Sequence, residues 1–406
     1  MSSSQWQFPA RFRRNAFGWR DQVPRQRIKE AITEIRKVAR KEPIVAAEGA
    51  ILFLEKISPA LAGVDSSSGA LGGAVNHAIE ILTPIISKAM VSEEERQVWL
   101  ERLWEALQVD NIPYIEYLGD FWGELCVTPT LASPWADYFI DTLIQMWSDK
   151  TAHGYFKGTT ACFSALLAAH RYQELLALLD KAPFKWWYDR RWGVKALVAL
   201  GRPEDALHYA EDSKGLNSPR VDIARTCEEI LLSMGLADEA YQRYAFEANE
   251  TTTNLATFRA IAKKYSQKPA IDILNDLIAS QPGSEGKWFA AAKEAGFYEL
   301  AIELVGRTPT DPKTLARAAK DYADKNPTFA IASGMASLRW ISEGYGYEIS
   351  GGDVLGAYSS ILQAANHVGI DAEQIKRQIG EMRLAEKPNG RFVNDALIKY
   401  LDRGIL

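Results

Sequence analysis

Apolar residues recur at helical spacing along almost the whole chain. A first predicted helix begins at Pro24, and its apolar stripe consists of Ile28, Ile32, Ile35 and Val38/Ala39. A second, PIVAAEGAILFLEKI, begins at Pro43 and is expected to end before Ser58-Pro59, because a proline disfavours the helical conformation of the residue before it. No Val/Ile/Thr-rich run alternates apolar and polar residues, so the pattern predicts helices and no sheet.

Helix start and stop signals punctuate this pattern. Residues typical of helix starts are Ser92 with Glu95 in capping-box spacing, Asp311, Ser350 with Asp353, and Asp371. Gly344 and Gly369 stand where helices should end, since glycine readily adopts the left-handed conformation that closes a helix. These signals predict a run of antiparallel helix pairs.

A turn pattern recurs in the middle of the chain. Three segments end one helix in glycine and place alanine five positions later, at Gly201/Ala206, Gly235/Ala240 and Gly296/Ala301. Two further segments fit, with His170/Leu175 and Tyr265/Ala270 in the same places. The second positions, 175, 206, 240, 270 and 301, are therefore 31, 34, 30 and 31 residues apart. The small residue lets the second helix approach the first closely.

A period near 34 residues with two helices per unit resembles the tetratricopeptide (TPR) repeat over residues ~160–335. The resemblance rests on the turn, because Arg190 and Val194 occupy the family's usual Trp and small positions. The run from RPEDALHYAED to RWISEGYGYEI is also similar to uncharacterised bacterial helical-repeat proteins, some of which carry a SWIM-type zinc finger upstream. This chain lacks that finger's Cys/His ligands, so the resemblance implies neither zinc nor a nucleic-acid role.

The predicted fold is all-α, an α-solenoid in which antiparallel helix pairs form a right-handed, TPR-like superhelical stack. Three regions are expected: a basic N-terminal arm with a HEAT-like or irregular helical region (1–155), the TPR-like array (156–340) and a C-terminal helical cap (341–406). Such stacks offer an extended concave surface, which favours a non-catalytic scaffold that binds a protein or peptide partner.

Composition and charge indicate the compartment in which the protein is expected. The chain has 406 residues and a net charge of −5. Residues 1–42 carry eleven Lys/Arg and four Asp/Glu, a net of +7, which leaves −12 for the remainder. Three scattered cysteines fit a reducing compartment, no apolar run approaches the ~20 residues of a membrane span, and the start lacks a secretory signal. We therefore expect a cytoplasmic protein that is not inserted in a membrane; its oligomeric state is not readable.

The segment KWWYDRRW, residues 185–192, is the densest group of aromatic and arginine side chains. Its helix has apolar groups on every side, which favours a helix packed between neighbours whose arginines stack on rings or pair with acids. The alternative is a recognition patch, because Trp, Tyr and Arg dominate binding hot spots. The candidate partner-binding residues are Trp186, Trp187, Tyr188, Arg190, Arg191 and Trp192, together with Tyr345 and Tyr347 from a second aromatic loop, GYGYEISGGDVLGAY.

Residues 64–82 form a glycine-rich segment that leads into a predicted helix, as phosphate-binding loops do. It lacks the GxxxxGK[ST] pattern, and close helix packing explains Gly69 and Gly73 without a ligand. The acidic stripe of Glu116, Asp120 and Glu124 is expected to be a solvated face. The group around His208 favours surface pairing over ligation. The sequence thus predicts no cofactor, metal site or catalytic motif.

The N-terminal arm combines aromatic residues with arginines, among them Arg11, Arg13, Arg14, Arg20, Arg25 and Arg27. Docking of this arm on the acidic body or on a partner is favoured. Two other functions stay open: nucleic-acid binding through the arm, and a regulatory or enzymatic subunit with a pocket between two halves of the chain.

Overall fold

The computed structural model describes residues 6–148, 155–215, 218–382 and 386–401, with side chains up to residue 398. All regular structure in these ranges is helical, which confirms the all-α prediction. The chain divides into two compact units, Met1–Ile230 and Leu231–Leu406, and the division lies within one helix. The predicted boundary at residue 155 adjoins residues outside the described ranges.

The α-helices of the first unit, up to the one that contains the division, are α1 (Gln22–Ala39), α2 (Pro43–Leu61), α3 (Ala70–Ser87), α4 (Glu93–Gln108), α5 (Trp122–Cys126), α6 (Pro129–Ser148), α7 (Thr159–Ala168), α8 (Tyr172–Asp180), α9 (Trp187–Ala199), α10 (Pro203–Glu211) and α11 (Arg220–Ser233). Short 3-10 helices cover Phe8–Ala10 and Glu116–Phe121. Consecutive helices pack as pairs, among them α6 with α7, α8 with α9, and α9 with α10.

The second unit continues with α12 (Ala237–Ala248), α13 (Asn254–Lys264), α14 (Ala270–Ser280), α15 (Phe289–Glu294), α16 (Tyr298–Arg307), α17 (Pro312–Tyr322), α18 (Pro327–Ser342), α19 (Gly351–His367), α20 (Ala372–Glu381) and α21 (Gly390–Leu401), with a 3-10 helix at Glu285–Trp288. Helix α18 lies between α17 and α19, and one core extends from Tyr241 to Trp340. A second core joins α18 to α19, α20 and α21.

Two helix ends differ from the sequence pattern. Helix α1 begins at Gln22, so Pro24 occupies its first turn, where backbone N–H groups have no intrahelical partner in any case. Helix α2 runs through Ser58 and Pro59 to Leu61, so the prediction that it ends before them is wrong. The Ser58 hydroxyl donates to the buried Asp110 carboxylate, and Leu61 is fully buried. Core packing at the last turn thus offsets the cost of the proline.

The predicted helix signals mostly hold. Ser92 accepts a hydrogen bond from the Glu95 backbone at 3.2 Å, and Ser350 and Asp353 form a capping box. Asp311 caps α17, whereas Asp371 stands at the start of α20 without a side-chain cap. Left-handed backbone conformations are found at Gly201, Gly235, Gly296, Gly344 and Gly369, and also at His170.

The small residues of the predicted turns face the helix pairs. Ala206, Ala240, Ala301 and Leu175 are fully buried, whereas Ala270 is only partly buried. Tyr265 lacks the left-handed conformation, with φ −107°. Four of the five turns therefore share a geometry, and the superhelical arrangement stays a prediction. Within the described ranges, no helix combines the length and apolarity that crossing a bilayer requires.

Candidate functional site

Residues 187–192 of KWWYDRRW lie in α9, and buried contacts anchor one side of this helix. Trp187, Arg190 and Trp192 are buried. Arg190 donates from Nε to the Ser213 hydroxyl at 2.6 Å and from Nη2 to the Tyr209 carbonyl at 3.1 Å, while its guanidinium lies 3.7 Å from the Tyr209 ring centre. These contacts support the interpretation of this side as a packed helix.

The other side of the segment is open. Trp186 is 64% exposed and Tyr188 46% exposed. Phe184, 52% exposed, stacks on Trp186 with ring centres 5.6 Å apart and planes inclined by 22°. We call Phe184, Trp186, Tyr188 and Arg191 the aromatic surface. Of the candidate partner-binding residues in this segment, only Trp186, Tyr188 and the partly buried Arg191 reach it.

Asp120 ties the aromatic surface to the acidic stripe. Its side chain is only 8% exposed, accepts from Arg191 Nη2 at 2.6 Å and accepts from the Tyr188 hydroxyl at 3.2 Å. The Arg191 guanidinium also lies 4.3 Å from the Tyr188 ring centre. Arg191 and Tyr188 are thereby held in one arrangement.

The expectation of a solvated acidic face is wrong for Asp120, whose side chain is only 8% exposed, whereas Glu124 is exposed as expected. Glu116 accepts from the Tyr155 hydroxyl at 2.7 Å, and Glu124 accepts from the Ser87 hydroxyl at 3.1 Å. The segment Glu116–Phe121 is a 3-10 helix, so residues four apart do not fall on one α-helical face. The three carboxylates therefore reach different partners.

Burial shifts several protonation equilibria around α9. Desolvation raises the pKa of Asp189 to about 6, and nearby Asp120 adds to the rise while Arg191 opposes it. Desolvation and the Arg191 charge lower the pKa of Lys195. Desolvation and the Asp120 charge raise the pKa of Tyr188, which keeps its hydroxyl a neutral donor near pH 7.

The chemistry of this site suits recognition. Its exposed part offers aromatic faces and a fixed ion pair, and the segment has no nucleophile paired with a general base. Among the described residues, no group of three or more His, Cys, Asp or Glu side chains is placed to hold a metal ion. His208 is exposed, 3.7 Å from Glu211, as a surface pair would be.

The second aromatic loop lies in the second unit, between α18 and α19. Tyr345 and Tyr347 are both exposed, and Tyr345 packs edge-on against Trp340 with ring centres 5.3 Å apart. Gly344 and Gly346 both have positive φ, which only glycine adopts readily. The role of these tyrosines in binding stays a prediction.

The N-terminal arm docks on its own unit. Phe8 and Phe12 are buried against Phe53 of α2. Glu30 of α1 binds both Arg11, at 2.7 Å, and Arg27, at 2.6 Å. Arg25 pairs with Asp21 at 3.3 Å, whereas Arg13, Arg14 and Arg20 are exposed. Of the aromatic residues that base stacking would need, Phe12 is buried and Phe17 is partly buried, whereas Trp19 is exposed.

The glycine-rich segment differs from its expected role. Gly69 precedes α3 with φ 72°, so it supplies a left-handed turn at the helix start. A side chain added at Gly69, Gly72 or Gly73 would meet nothing within 4 Å. Close helix packing as the reason for these glycines is therefore wrong.

Sequence reasoning missed the partners of this site. Asp120 and Arg191 are 71 residues apart, and Glu116 and Tyr155 are 39 apart, so no local spacing connects them. The available signal was compositional: both segments are rich in aromatic residues, and one is acidic where the other is basic. Searches against protein-family models and against curated proteins found no match to this chain.

Proposed function

We propose that this chain is a non-catalytic protein that binds a protein or peptide partner, and that the aromatic surface is its contact site. The observation that carries the proposal is the exposure of Phe184, Trp186 and Tyr188 at the N-terminal end of α9, a helix whose other side is anchored. Aromatic anchors on a rigid element lose little conformational entropy on binding, which is why such residues dominate hot spots.

Three contacts support a pre-organised surface. Phe184 and Trp186 stack on each other, Tyr188 donates to Asp120, and Arg191 pairs with the same carboxylate. An Arg191–Asp120 pair of this kind leaves no uncompensated charge beside the rings. A partner with apolar or proline-rich side chains suits the rings, and the pair supplies a polar rim.

We further propose that the helix pairs stack as TPR-like repeats in the cytoplasm. The recurring left-handed turns at Gly201, Gly235 and Gly296 support this, as do the buried alanines five residues after each. Ala240→Leu should overpack its helix crossing and lower the free energy of unfolding by about 1–3 kcal/mol. Denaturant unfolding measures this, with Ala270→Leu at the partly buried equivalent position as the milder control. An unchanged midpoint for Ala240→Leu would remove the repeat assignment.

The binding proposal is tested with the double variant Phe184→Ala/Trp186→Ala. Proteins captured by the wild-type chain from its native source are identified, and the best candidate is purified and titrated by calorimetry. The variant should weaken binding by at least about tenfold, as expected of two hot-spot rings. Trp19→Ala is the matched control, because Trp19 is 72% exposed elsewhere in the first unit. Equal affinity of the double variant and wild type contradicts the proposal.

A further inference from the structure

A pocket of about 320 Å³ lies between α4 and α6, away from the aromatic surface. Its aromatic walls are Trp104, Trp135 and Tyr138, and Gln97, Glu101 and Glu105 line the side formed by α4. The volume is at the lower end of that of small-molecule sites, and the eight lining residues comprise Pro134, three aromatic residues and four polar or charged ones.

The Tyr138 ring is nearly perpendicular to both tryptophan rings. Tyr138 is inclined by 86° to Trp104 and by 80° to Trp135, with ring centres 6.2 Å and 5.7 Å away. Trp104 and Trp135 are buried and form the floor, whereas Tyr138 is 55% exposed and forms the rim. The pocket is therefore bounded by rings in more than one orientation, and each ring has faces of negative π-electron density.

The strongest hydrogen-bond donors of the lining are already used. The Trp104 indole N–H donates to the Tyr138 hydroxyl at 3.3 Å, and the Trp135 indole N–H donates to Gln97 Oε1 at 3.0 Å. The Gln97 amide donates to Glu101 Oε1 at 2.9 Å. Besides the Tyr138 hydroxyl and the Gln108 amide, what the lining leaves for a ligand is aromatic surface and carboxylate oxygen, both of which carry negative electrostatic potential.

The carboxylates have no cation of their own. Neither Glu101 nor Glu105 forms an ion pair within the described ranges. Arg102, on the same helix, binds Glu48 and Glu55 at 2.8 Å each. Lys157, near the end of α4, donates to the carbonyls of Gln108 and Asp110, so it caps the helix. An anionic ligand would face two unneutralised carboxylates.

We propose that this pocket binds an ammonium group that carries methyl groups, such as that of choline or of an N-methylated lysine side chain. Methylation keeps the positive charge but weakens hydration, so such a cation loses little on leaving water and gains from the ring faces and the carboxylates. An unmethylated ammonium is more strongly hydrated and fills less of the apolar space.

The test is a calorimetric titration of the full chain with choline and with its uncharged carbon isostere, 3,3-dimethylbutan-1-ol. Choline should bind saturably and at least about tenfold more tightly than the isostere, since the isostere lacks the charge. Equal affinity of the two compounds overturns the proposal, as does no saturable binding of choline up to tens of millimolar. A trimethyl-lysine peptide that binds more tightly than choline identifies a protein side chain as the source. Choline as the tighter ligand identifies a small molecule.

Variants separate the contribution of the Tyr138 ring to choline binding from that of the two carboxylates. Tyr138→Leu should lower choline affinity by on the order of tenfold, while Tyr138→Phe should retain it, because a cation–π contact is made with the ring and not with the hydroxyl. Glu101→Gln/Glu105→Gln should weaken choline and leave the isostere unchanged. Glu93→Gln, in the first turn of the same helix, is the matched control. The side chains of Tyr138, Glu101, Glu105 and Glu93 are all exposed, so each variant should fold, and thermal melting measures this. Choline affinity that is unchanged in both Tyr138→Leu and the double variant contradicts the proposal.

Discussion

Two segments of the first unit are both rich in aromatic residues and arginines, but they differ in which of these side chains are buried. The N-terminal arm, RFRRNAFGWR, and the α9 segment, KWWYDRRW, each mix aromatic residues with arginines. In the arm, Phe12 is buried and Arg13 and Arg14 are exposed. In the α9 segment Arg190 is buried, while Trp186 and Tyr188 are exposed. Composition alone therefore does not decide which side chains enter the core.

The difference is in the available partners. The arm meets Phe53 of α2, which offers apolar surface, so its phenylalanines pack edge to face there. Helix α9 meets Tyr209 and Ser213, which offer a ring, a carbonyl and a hydroxyl to a guanidinium. A buried cation is stable only where its N–H groups find acceptors. Which side chains of a segment are buried therefore depends on the element that packs against it, and that element can be distant in sequence.

The largest expected loss of stability follows from removing a buried aromatic side chain from either segment. Trp192→Ala and Phe12→Ala should each lower the free energy of unfolding by about 3–5 kcal/mol, through lost burial and the cavity left behind. Denaturant unfolding of the full chain measures both. A loss below about 1 kcal/mol in either variant would show that the segment concerned is not anchored.

A comparison of Arg190→Ala with Arg13→Ala tests whether the buried arginine contributes more to stability than the exposed one. Arg190 fills a buried site, and its removal leaves the Ser213 hydroxyl and a face of Tyr209 without their partner, so we expect a loss of about 1–3 kcal/mol. Arg13→Ala, at an exposed position, should change stability by less than about 0.5 kcal/mol. Equal melting of the two variants would contradict the burial of Arg190.

The protonation of Asp189 in α9 should make the free energy of unfolding depend on pH. The folded state raises the pKa of Asp189 from 3.8 to about 6, so it binds this proton more tightly than the unfolded chain does. Stability from this group is therefore present below pH 4 and falls as the pH rises through 6. Asp189→Asn should flatten this fall and raise stability at pH 7 by about 1 kcal/mol. Unfolding curves at pH 4, 5, 6 and 7 measure the slope, and an unchanged slope would contradict the assignment.

The smallest effect on stability is expected for the exposed rings. Trp186→Ala should shift the free energy of unfolding by less than about 0.5 kcal/mol. Trp187→Ala, at the next position and buried, should cost about 3–5 kcal/mol. This neighbouring pair sharpens the distinction between recognition and packing. A large stability loss for Trp186→Ala would assign its ring to the fold instead of to a partner.

Much of the local structure follows from the residues themselves. The period of apolar residues predicts the helices, Ser92 and Asp311 cap them as expected, and glycines such as Gly201 end them with left-handed backbone. These features depend on interactions within a few residues, which is why sequence spacing contains them. The buried alanines after the turns belong to the same class, because Ala206 and Ala240 are placed by the turn that precedes them.

The candidate sites depend on contacts between residues that lie far apart in the sequence. Helix α2 passes Pro59 because packing around Leu61 outweighs the local preference. Asp120 leaves the predicted acidic face because Arg191, 71 residues later, comes within 2.6 Å. The pocket of Trp104, Trp135 and Tyr138 requires two helices that the sequence does not show to be neighbours. Helix propensity is a property of neighbouring residues, whereas the partner of a charge or a ring depends on which distant elements the core brings together.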